Sequence, residues 1–257
     1  NYNALWRKYY IKLINLGLRG NSSLITTTKY AKSKLERSFS KQNLSIIVIF
    51  QSFLKSKIND DSILKTLSLE DNDFLLHVGS FDKRKDLITL VKAFKLLKED
   101  KKNRHLKLVL AGQKILNGNA EVLDELEIYI LTNNLSKSVL ITDYLSNAEI
   151  NSLYKKALIY VFPSIEEGFG IPLLEAFAMK IPVVSSNAGA MVEIAEGAAE
   201  HYNAGDYIEL FKTLAKLIIS KPERSYLIDK GSERLKFFSR EKFIKDYEKL
   251  ILKSVKN

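Results

Sequence analysis

Glu167 and Glu175 stand with seven residues between them, inside the run Glu166-Glu167-Gly168-Phe169-Gly170-Ile171-Pro172-Leu173-Leu174-Glu175. Carboxylates accept hydrogen bonds from hydroxyls, glycine lets a backbone approach closely, and free backbone amides hold oxyanions. The combination suits a ligand that is both polyhydroxylated and phosphorylated. The competing reading is a solvated Glu167 and a Glu175 that pairs with a nearby lysine, the ordinary fate of surface charge. A second stretch, Gly79-Ser80-Phe81-Asp82-Lys83-Arg84-Lys85, supplies glycine followed by cations able to neutralise a diphosphate. Its alternative is a solvated basic loop.

Both stretches need strands to aim them. Leu158 to Phe162 is an apolar run rich in β-branched and aromatic residues, which predicts a buried strand, and Leu173 to Met179 predicts a helix. Pro172 suits the first turn of that helix, where its missing N–H has no helical partner. The loop between them therefore lies at the carboxyl end of a strand, with the first helical amides free for an anion. Phe74 to Val78 predicts the strand before the Gly79 loop. Around these two units run a helix from Asp86 to Lys98 with Asp86 as cap, a strand from Leu106 to Ala111 and a helix from Ala120 to Thr132. A strand follows at Val139 to Ile141, then a helix opened by the Ser146/Glu149 capping box and ending near Ala157, and a strand from Pro182 to Ser185. Helices at about Tyr207 to Ser220 and Arg240 to Val255 complete the chain. The alternation predicts an α/β fold: a Rossmann-like parallel sheet with helices on both faces.

Ahead of this region, Tyr2, Leu5, Trp6, Tyr9, Tyr10, Leu13 and Ile14 recur at helical spacing and predict an amphipathic helix ending near Gly17 to Gly20. Its aromatic stripe needs a cover, either a domain face or a membrane interface. Leu24 to Thr27 predicts a short strand, Lys29 to Phe39 a helix capped by Thr28, and Ile46 to Ile49 the strand that enters the larger unit. His77, His105 and His201 read as core or surface histidines, with His201 after the last strand.

Composition narrows the classes. The chain has 257 residues, 46% of them hydrophobic and 27% charged, enough for one large or two small globular domains. Cysteine is absent, so disulfides and thiolate metal sites are excluded, and three histidines give little scope for a histidine cluster. No apolar run reaches the roughly 18 residues of a membrane span. Lys and Arg number 40 against 30 acidic residues, a formal charge of +10. That excess favours phosphorylated substrates, an acidic membrane surface or nucleic acid. Lysines spread over solvated helix faces explain it equally well, and no nucleic-acid motif is present.

The motifs together carry a resemblance. Glu167 to Ala176 resembles the E-x7-E signature of the retaining glycosyltransferases of group 1, the family 4 type with GT-B architecture. The likeness continues through Leu75-Leu76-His77-Val78-Gly79-Ser80 with Arg84-Lys85, Leu108 to Gly112, Pro182-Val183-Val184 and Gly189-Ala190-Met191-Val192-Glu193, over roughly residues 73 to 240. It implies two facing Rossmann-like domains, of which residues 46–239 would be the nucleotide-sugar-binding one. Residues 1–45 would end the N-terminal acceptor domain and form the linker, and residues 240–257 would be a helix crossing back toward it.

In that family Glu175 would hold the ribose and Glu167 the donor sugar hydroxyls, while the amides of Phe169, Gly170 and Ile171 would hold sugar and phosphate. Gly168 and Pro172 shape the same loop. Gly79, Ser80, Arg84 and Lys85 would meet the donor diphosphate. Ser80 replaces the family's usual arginine there, which leaves Arg84 as its substitute. Tyr144 and Leu145 would lie at the base, read through backbone groups. Glu193 would be a structural helix-start residue. The implied reaction is metal-independent hexosyl transfer with retention, with no cofactor, catalysed through Glu167 and Lys85 on a glycan or lipid-linked acceptor. The chain would be cytoplasmic, or peripheral at the inner membrane surface, with no nucleic-acid partner. A complete N-terminal domain needs on the order of 100 to 150 further residues, so the expectation is a fragment or a donor-binding half completed by another polypeptide. The alternatives are a nucleotide-sugar-binding module without turnover and a dinucleotide-dependent oxidoreductase. The latter is disfavoured by the absence of G-x-G-x-x-G after the Phe74 strand.

Overall fold

The structure is a computed structural model that describes residues 4–17, 23–39, 45–54, 58–71, 73–112 and 120–255. Tyr2 and Gly20, at the expected limits of the first helix, lie outside them, as do Lys256 and Asn257. In chain order the elements are α1 (Ala4–Gly17), β1 (Ser23–Thr26), α2 (Lys29–Ser38), β2 (Ser45–Val48), α3 (Ser62–Thr66), β3 (Phe74–Val78), α4 (Leu87–Glu99), β4 (Lys107–Ala111), α5 (Ala120–Thr132) and β5 (Val139–Ile141). The chain continues through α6 (Asn147–Lys156), β6 (Ile159–Phe162), α7 (Ile171–Ala178), β7 (Val183–Ser186), α8 (Met191–Ala195), β8 (Glu200–Tyr202), α9 (Tyr207–Ile219), α10 (Lys221–Leu235) and α11 (Arg240–Val255).

Six strands form one all-parallel sheet in the order β5-β4-β3-β6-β7-β8. The chain winds outward from β3 to β5 on one side and from β6 to β8 on the other. Strand order therefore reverses between β3 and β6, where Leu75 pairs with Ile159 and Leu76 with Tyr160. A crevice opens at the carboxyl ends of strands at such a reversal, because the connections leave in opposite directions. The loops that begin at Gly79 and Pro163 leave β3 and β6, so the two stretches with chemical potential flank that reversal.

The side-chain period of two divides the core. Phe74, Leu76, Val78, Tyr160 and Phe162 pack with Leu173, Leu174 and Phe177 of α7 on one face. Leu75, Ile159 and Val161 pack with Leu90, Val91 and Phe94 of α4 and Leu210 and Leu214 of α9 on the other. Burial on both faces accounts for the near-continuous apolar strands. Thr28 caps α2 by accepting from the Ala31 N–H at 3.1 Å, and Ser146 and Glu149 close the capping box of α6.

Three elements depart from expectation. β2 pairs in parallel with β1, Ser23 against Ser45 through Thr26 against Val48, as a separate two-stranded sheet; it does not join the six strands. His201 lies within β8, a strand too short to announce itself, and not beyond the last strand. α10 fills the interval between the two expected terminal helices, with Gly231 set against Phe177 of α7. Asp86 does precede α4, but with a left-handed backbone (φ 45°).

The ends of β3 and β4 are packed backbone to backbone. Gly79 N–H donates to the Ala111 carbonyl at 2.9 Å, and a Cβ on Gly112 would lie 1.8 Å from the Gly79 carbonyl oxygen. Gly112→Ala must therefore push the Gly79 loop away. It is expected to lower stability by roughly 1–3 kcal/mol, as overpacking does, and urea denaturation of both proteins checks it.

Candidate functional site at the β3–β6 crevice

Lys85 ends a 3-10 turn, Lys83–Lys85, which Asp82 caps by accepting from the Arg84 N–H. The turn folds the lysine back beneath its own loop, and its side chain is 9% exposed. The stem passes the Gly79 position, where an added Cβ would lie 3.5 Å from Lys85 Cε, and Nζ sits 4.9 Å from the centre of the Phe162 ring. The ammonium donates to Glu167 Oε1 at 2.5 Å. Arg84, half exposed, places Nη1 3.8 Å from the same oxygen and Nη2 3.2 Å from Asp82 Oδ2. The Ile165 N–H donates to the Arg84 carbonyl at 2.8 Å, tying the two loops together. Ser80, which stands where the family arginine was expected, donates to Asp82 Oδ2 at 2.6 Å. Burial pushes Asp82 up, but the Ser80 hydroxyl, the Arg84 guanidinium and the Arg84 N–H outweigh it and hold the carboxyl below the usual range.

Behind Glu167, Gly168 is exposed, Phe169 is buried with its ring edge-on to Phe238 at 5.8 Å, and Gly170 caps α7 at φ 94°, where a side chain would be strained. Ile171 and Pro172 form the first turn of α7. No acceptor within the described residues meets the N–H groups of Gly168, Phe169, Gly170 or Ile171. Four free donors at a helix start form a place for an anion. Gly189, at φ 64°, comes so close that a Cβ there would lie 2.7 Å from the Glu167 amide nitrogen, and the Ala190 N–H donates to the Glu167 carbonyl at 3.0 Å.

Glu175 occupies different surroundings. With Phe53, Val78, Asn147, Ile150 and Met179 it lines a cavity of about 220 Å³ beside the end of β3. That is smaller than the roughly 300–1,000 Å³ of drug-sized pockets and suits one flat or ring-sized moiety. Burial raises the carboxyl above its ordinary value, offset in part by the Tyr154 hydroxyl, which donates to Oε2 at 3.2 Å. Tyr160, wholly buried, lies between the two glutamates and feels both charges; its hydroxyl reaches the Val78 carbonyl at 3.4 Å. His77 is enclosed beside Tyr160 and Phe162, its Nδ1 3.0 Å from the Val161 carbonyl, and desolvation pushes it down to about 4. It is a core histidine and neutral at physiological pH.

The crevice thus unites Gly79, Arg84, Lys85 and Glu167, with Ser80 joined to them through Asp82. Leu145 packs against the core of the same face, and Tyr144 projects into solvent at 76% exposure. Among the described residues no group of three or more His, Cys, Asp or Glu is placed to hold a metal ion, and no helix is long and apolar enough to cross a membrane.

The family model for glycosyl transferases group 1 matches residues 59–234. The chain belongs to that family. The chain is 26% identical over 198 residues to the O-antigen chain mannosyltransferase RfbU of Salmonella typhimurium, covering 77% of this chain and 51% of that protein. It is 29% identical over 268 aligned positions to the N-acetylgalactosamine-N,N'-diacetylbacillosaminyl-diphospho-undecaprenol 4-alpha-N-acetylgalactosaminyltransferase of Campylobacter jejuni, covering 98% of this chain and 65% of the relative. The chain thus spans between half and two thirds of the length of these relatives. In fold it is similar to Anabaena Alr3699/HepE, solved with UDP and glucose, at a TM-score of 0.81 and 17% identity over 94% of this chain and 66% of that one. The six-stranded unit is accordingly the Rossmann-like half of a GT-B fold.

The residues that the sequence did not place at this candidate site are Tyr154, Tyr160 and Thr28. Tyr160 reads as part of the apolar run Leu158 to Phe162, Tyr154 carries no local signal, and only the fold shows where their hydroxyls meet Val78 and Glu175. The raised Glu175 pKa has a testable sign. A carboxyl whose folded pKa lies above its unfolded value costs stability while it is charged, and the cost vanishes as pH falls through the folded pKa. Glu175→Gln should therefore raise the urea midpoint near neutral pH, with a gain that shrinks as pH falls toward the ordinary Glu value of about 4.3. A gain unchanged across that range would assign the effect to packing.

Proposed function

We propose that this chain is the donor-binding part of a retaining hexosyltransferase that moves a sugar from a nucleotide sugar to a glycan or lipid-linked glycan. The observation that carries the reading is the meeting of Lys85, Arg84 and Glu167 at the β3–β6 reversal, beside four amides that meet no acceptor among the described residues and near the Glu175 cavity at the end of β3. Cation, amides and carboxylates are the three donor and acceptor types that a sugar diphosphate requires. The relatives' activities support the same class: one is a mannosyltransferase and another acts on a diphospho-undecaprenol.

In this reading the nucleoside enters the cavity, Glu175 accepts from the ribose hydroxyls through its free oxygen, and the backbone near Tyr144 and Leu145 borders the base. Lys85 and Arg84 meet the diphosphate with Gly79 giving close access. The amides of Phe169 to Ile171 face the sugar and its phosphate, and Glu167 accepts from the sugar hydroxyls. Breaking the glycosidic bond adds negative charge to the diphosphate, so positive groups fixed there stabilise the transition state more than the bound donor. No metal ion or cofactor is needed for that task. The chain spans only part of its relatives' length, and the reading assigns the acceptor wall to the remainder or to a separate polypeptide. A formal charge of +10 suits an anionic cytoplasmic membrane surface at which a lipid-linked acceptor is presented.

Ligand-observed NMR of the 257-residue chain against UDP, GDP and ADP sugars tests the reading, with binding to one base class expected; binding to none overturns it. Glu175→Gln should weaken nucleoside diphosphate and intact donor alike by about 1–3 kcal/mol, the scale of a charged hydrogen bond. Glu167→Gln should spare the diphosphate and impair the intact donor. In the complete enzyme Lys85→Ala should lower kcat by ~100-fold with a smaller change in KM. Arg84→Ala shows by its own loss whether the guanidinium shares that load.

A further inference from the structure

The catalytic loop is held from outside the six-stranded unit. Thr28 is buried, and its Oγ–H donates to the Gly168 carbonyl at 2.9 Å across 140 residues of sequence, while the same oxygen accepts from the Ala31 N–H at 3.1 Å. A hydroxyl has one proton to give, so these two bonds set both its donor and its cap function. Around Thr28 the start of α2 is clamped. Glu193 of α8 accepts from the Lys29 N–H at 2.8 Å and the Tyr30 N–H at 3.0 Å, one oxygen to each. A carboxylate against the positive end of a helix is a charge-assisted contact. Lys34 adds a 2.5 Å bond to Glu166. Glu193 itself is steadied by Arg234, whose guanidinium donates to the carbonyls of Glu193 and Ile194 at 3.0 and 2.8 Å.

The consequence follows from peptide geometry. In a planar trans peptide the carbonyl of one residue and the N–H of the next point in opposite directions. Ala190 holds the Glu167 carbonyl and Thr28 holds the Gly168 carbonyl, so the Gly168 N–H is turned away from Ala190 and the Phe169 N–H away from Thr28. Those are two of the four amides that meet no acceptor in the described chain. We propose that Thr28 is a positioning residue for the donor sugar: by fixing the peptide between Gly168 and Phe169 it aims the Phe169 amide, and with it the backbone that carries Glu167. Glu193 seats Thr28 by capping the helix on which it sits. The inference rests on the proposed donor site and adds to it a determinant from the N-terminal segment.

The test compares Thr28→Val, which keeps the shape and loses the hydroxyl, with Thr28→Ser, which keeps donor and cap. The readouts are dissociation constants for a nucleoside diphosphate and for the corresponding nucleotide sugar, taken from the base class that binds the parent chain. Thr28→Val should leave the diphosphate within about twofold and weaken the nucleotide sugar about tenfold, the loss of one oriented donor, whereas Thr28→Ser should restore the parent ratio. Loss of the cap alone should appear as a fall of about 2–4 °C in Tm and would weaken both ligands together or neither. A second measurement does not depend on affinity: the Phe169 amide resonance should shift in Thr28→Val and return in Thr28→Ser. Equal effects on the two ligands, or an unmoved Phe169 amide, overturn the role of Thr28 and leave the donor site standing. A parent chain that binds no nucleotide sugar overturns the donor site and this role with it. If Thr28→Val does not fold, Glu193→Ala is read in the same way, with the same selective loss expected and an equal loss overturning the role.

Discussion

The ion pair between Lys85 and Glu167 is the constraint from which the rest of the site follows. Its partners come from the two loops at the place where the parallel sheet reverses its winding, and they meet with little access to solvent. Each must be desolvated, a cost that only close geometry repays. The neighbourhood supplies that geometry: the 3-10 turn that folds Lys85 inward, the bare Gly79 beside its stem, the Phe162 ring beneath its ammonium, and the bond from Ile165 to Arg84 that keeps the loops in step. The two charges of the pair offset each other. On the proposed function an arriving diphosphate competes with Glu167 for Lys85, and the carboxylate it displaces is already aimed at the neighbouring sugar. Arg84, 3.8 Å away and half exposed, is placed to follow either anion.

A pair this specific needs a rigid frame, since donor groups that drift by an ångström lose much of their effect. The frame is built from the side of the loop opposite the crevice. Gly189 allows α8 to approach the Glu167 backbone, Ala190 takes its carbonyl, and Arg234 of α10 holds α8 in turn. α10 can lie this close only because Gly231 presents no side chain to Phe177, where a Cβ would lie 2.8 Å from the ring. The N-terminal segment completes the enclosure through α2. Support thus reaches the loop both from its own sheet unit and from the chain that precedes it.

Much of this was legible in the sequence because it is written locally. The strands that end at Val78 and Phe162 are near-continuous apolar runs, Ser146 and Glu149 are three residues apart, and Pro172 marks the start of α7 directly. Both glycine loops could be assigned to strand ends from those signals alone. α10 escaped because it buries only Leu227 and Gly231 among its described side chains and shows no strong apolar stripe. Its one local mark is Ser220 with Pro222 and Glu223, a cap, a first-turn proline and an acidic first turn. β8 has three residues and a single large apolar side chain facing the core, Tyr202. The partner of β2 and the hydroxyl bond from Thr28 to Gly168 join distant parts of the chain, and no periodicity reports such pairings.

Glu175 shows why the second carboxylate is where it is. Burial opposes its charge, and the partner it has in the described chain is the Tyr154 hydroxyl, bound to Oε2 alone. A carboxylate kept for stability would be expected to hold a cation or several backbone donors, as Glu193 holds the Lys29 and Tyr30 amides. Glu175 instead has one neutral donor on one oxygen and leaves the other toward a cavity bounded by Val78, Ile150 and Met179. Burial of the carboxylate lowers the local dielectric, so a hydroxyl donated to that oxygen gains more there than it would in water. On the proposed function, the same desolvation that costs the protein stability strengthens its contact with a ligand hydroxyl. The tyrosine fixes the carboxylate's rotation in advance, which reduces the ordering that binding must impose. On the proposed function, stability and binding pull in opposite directions at this one side chain.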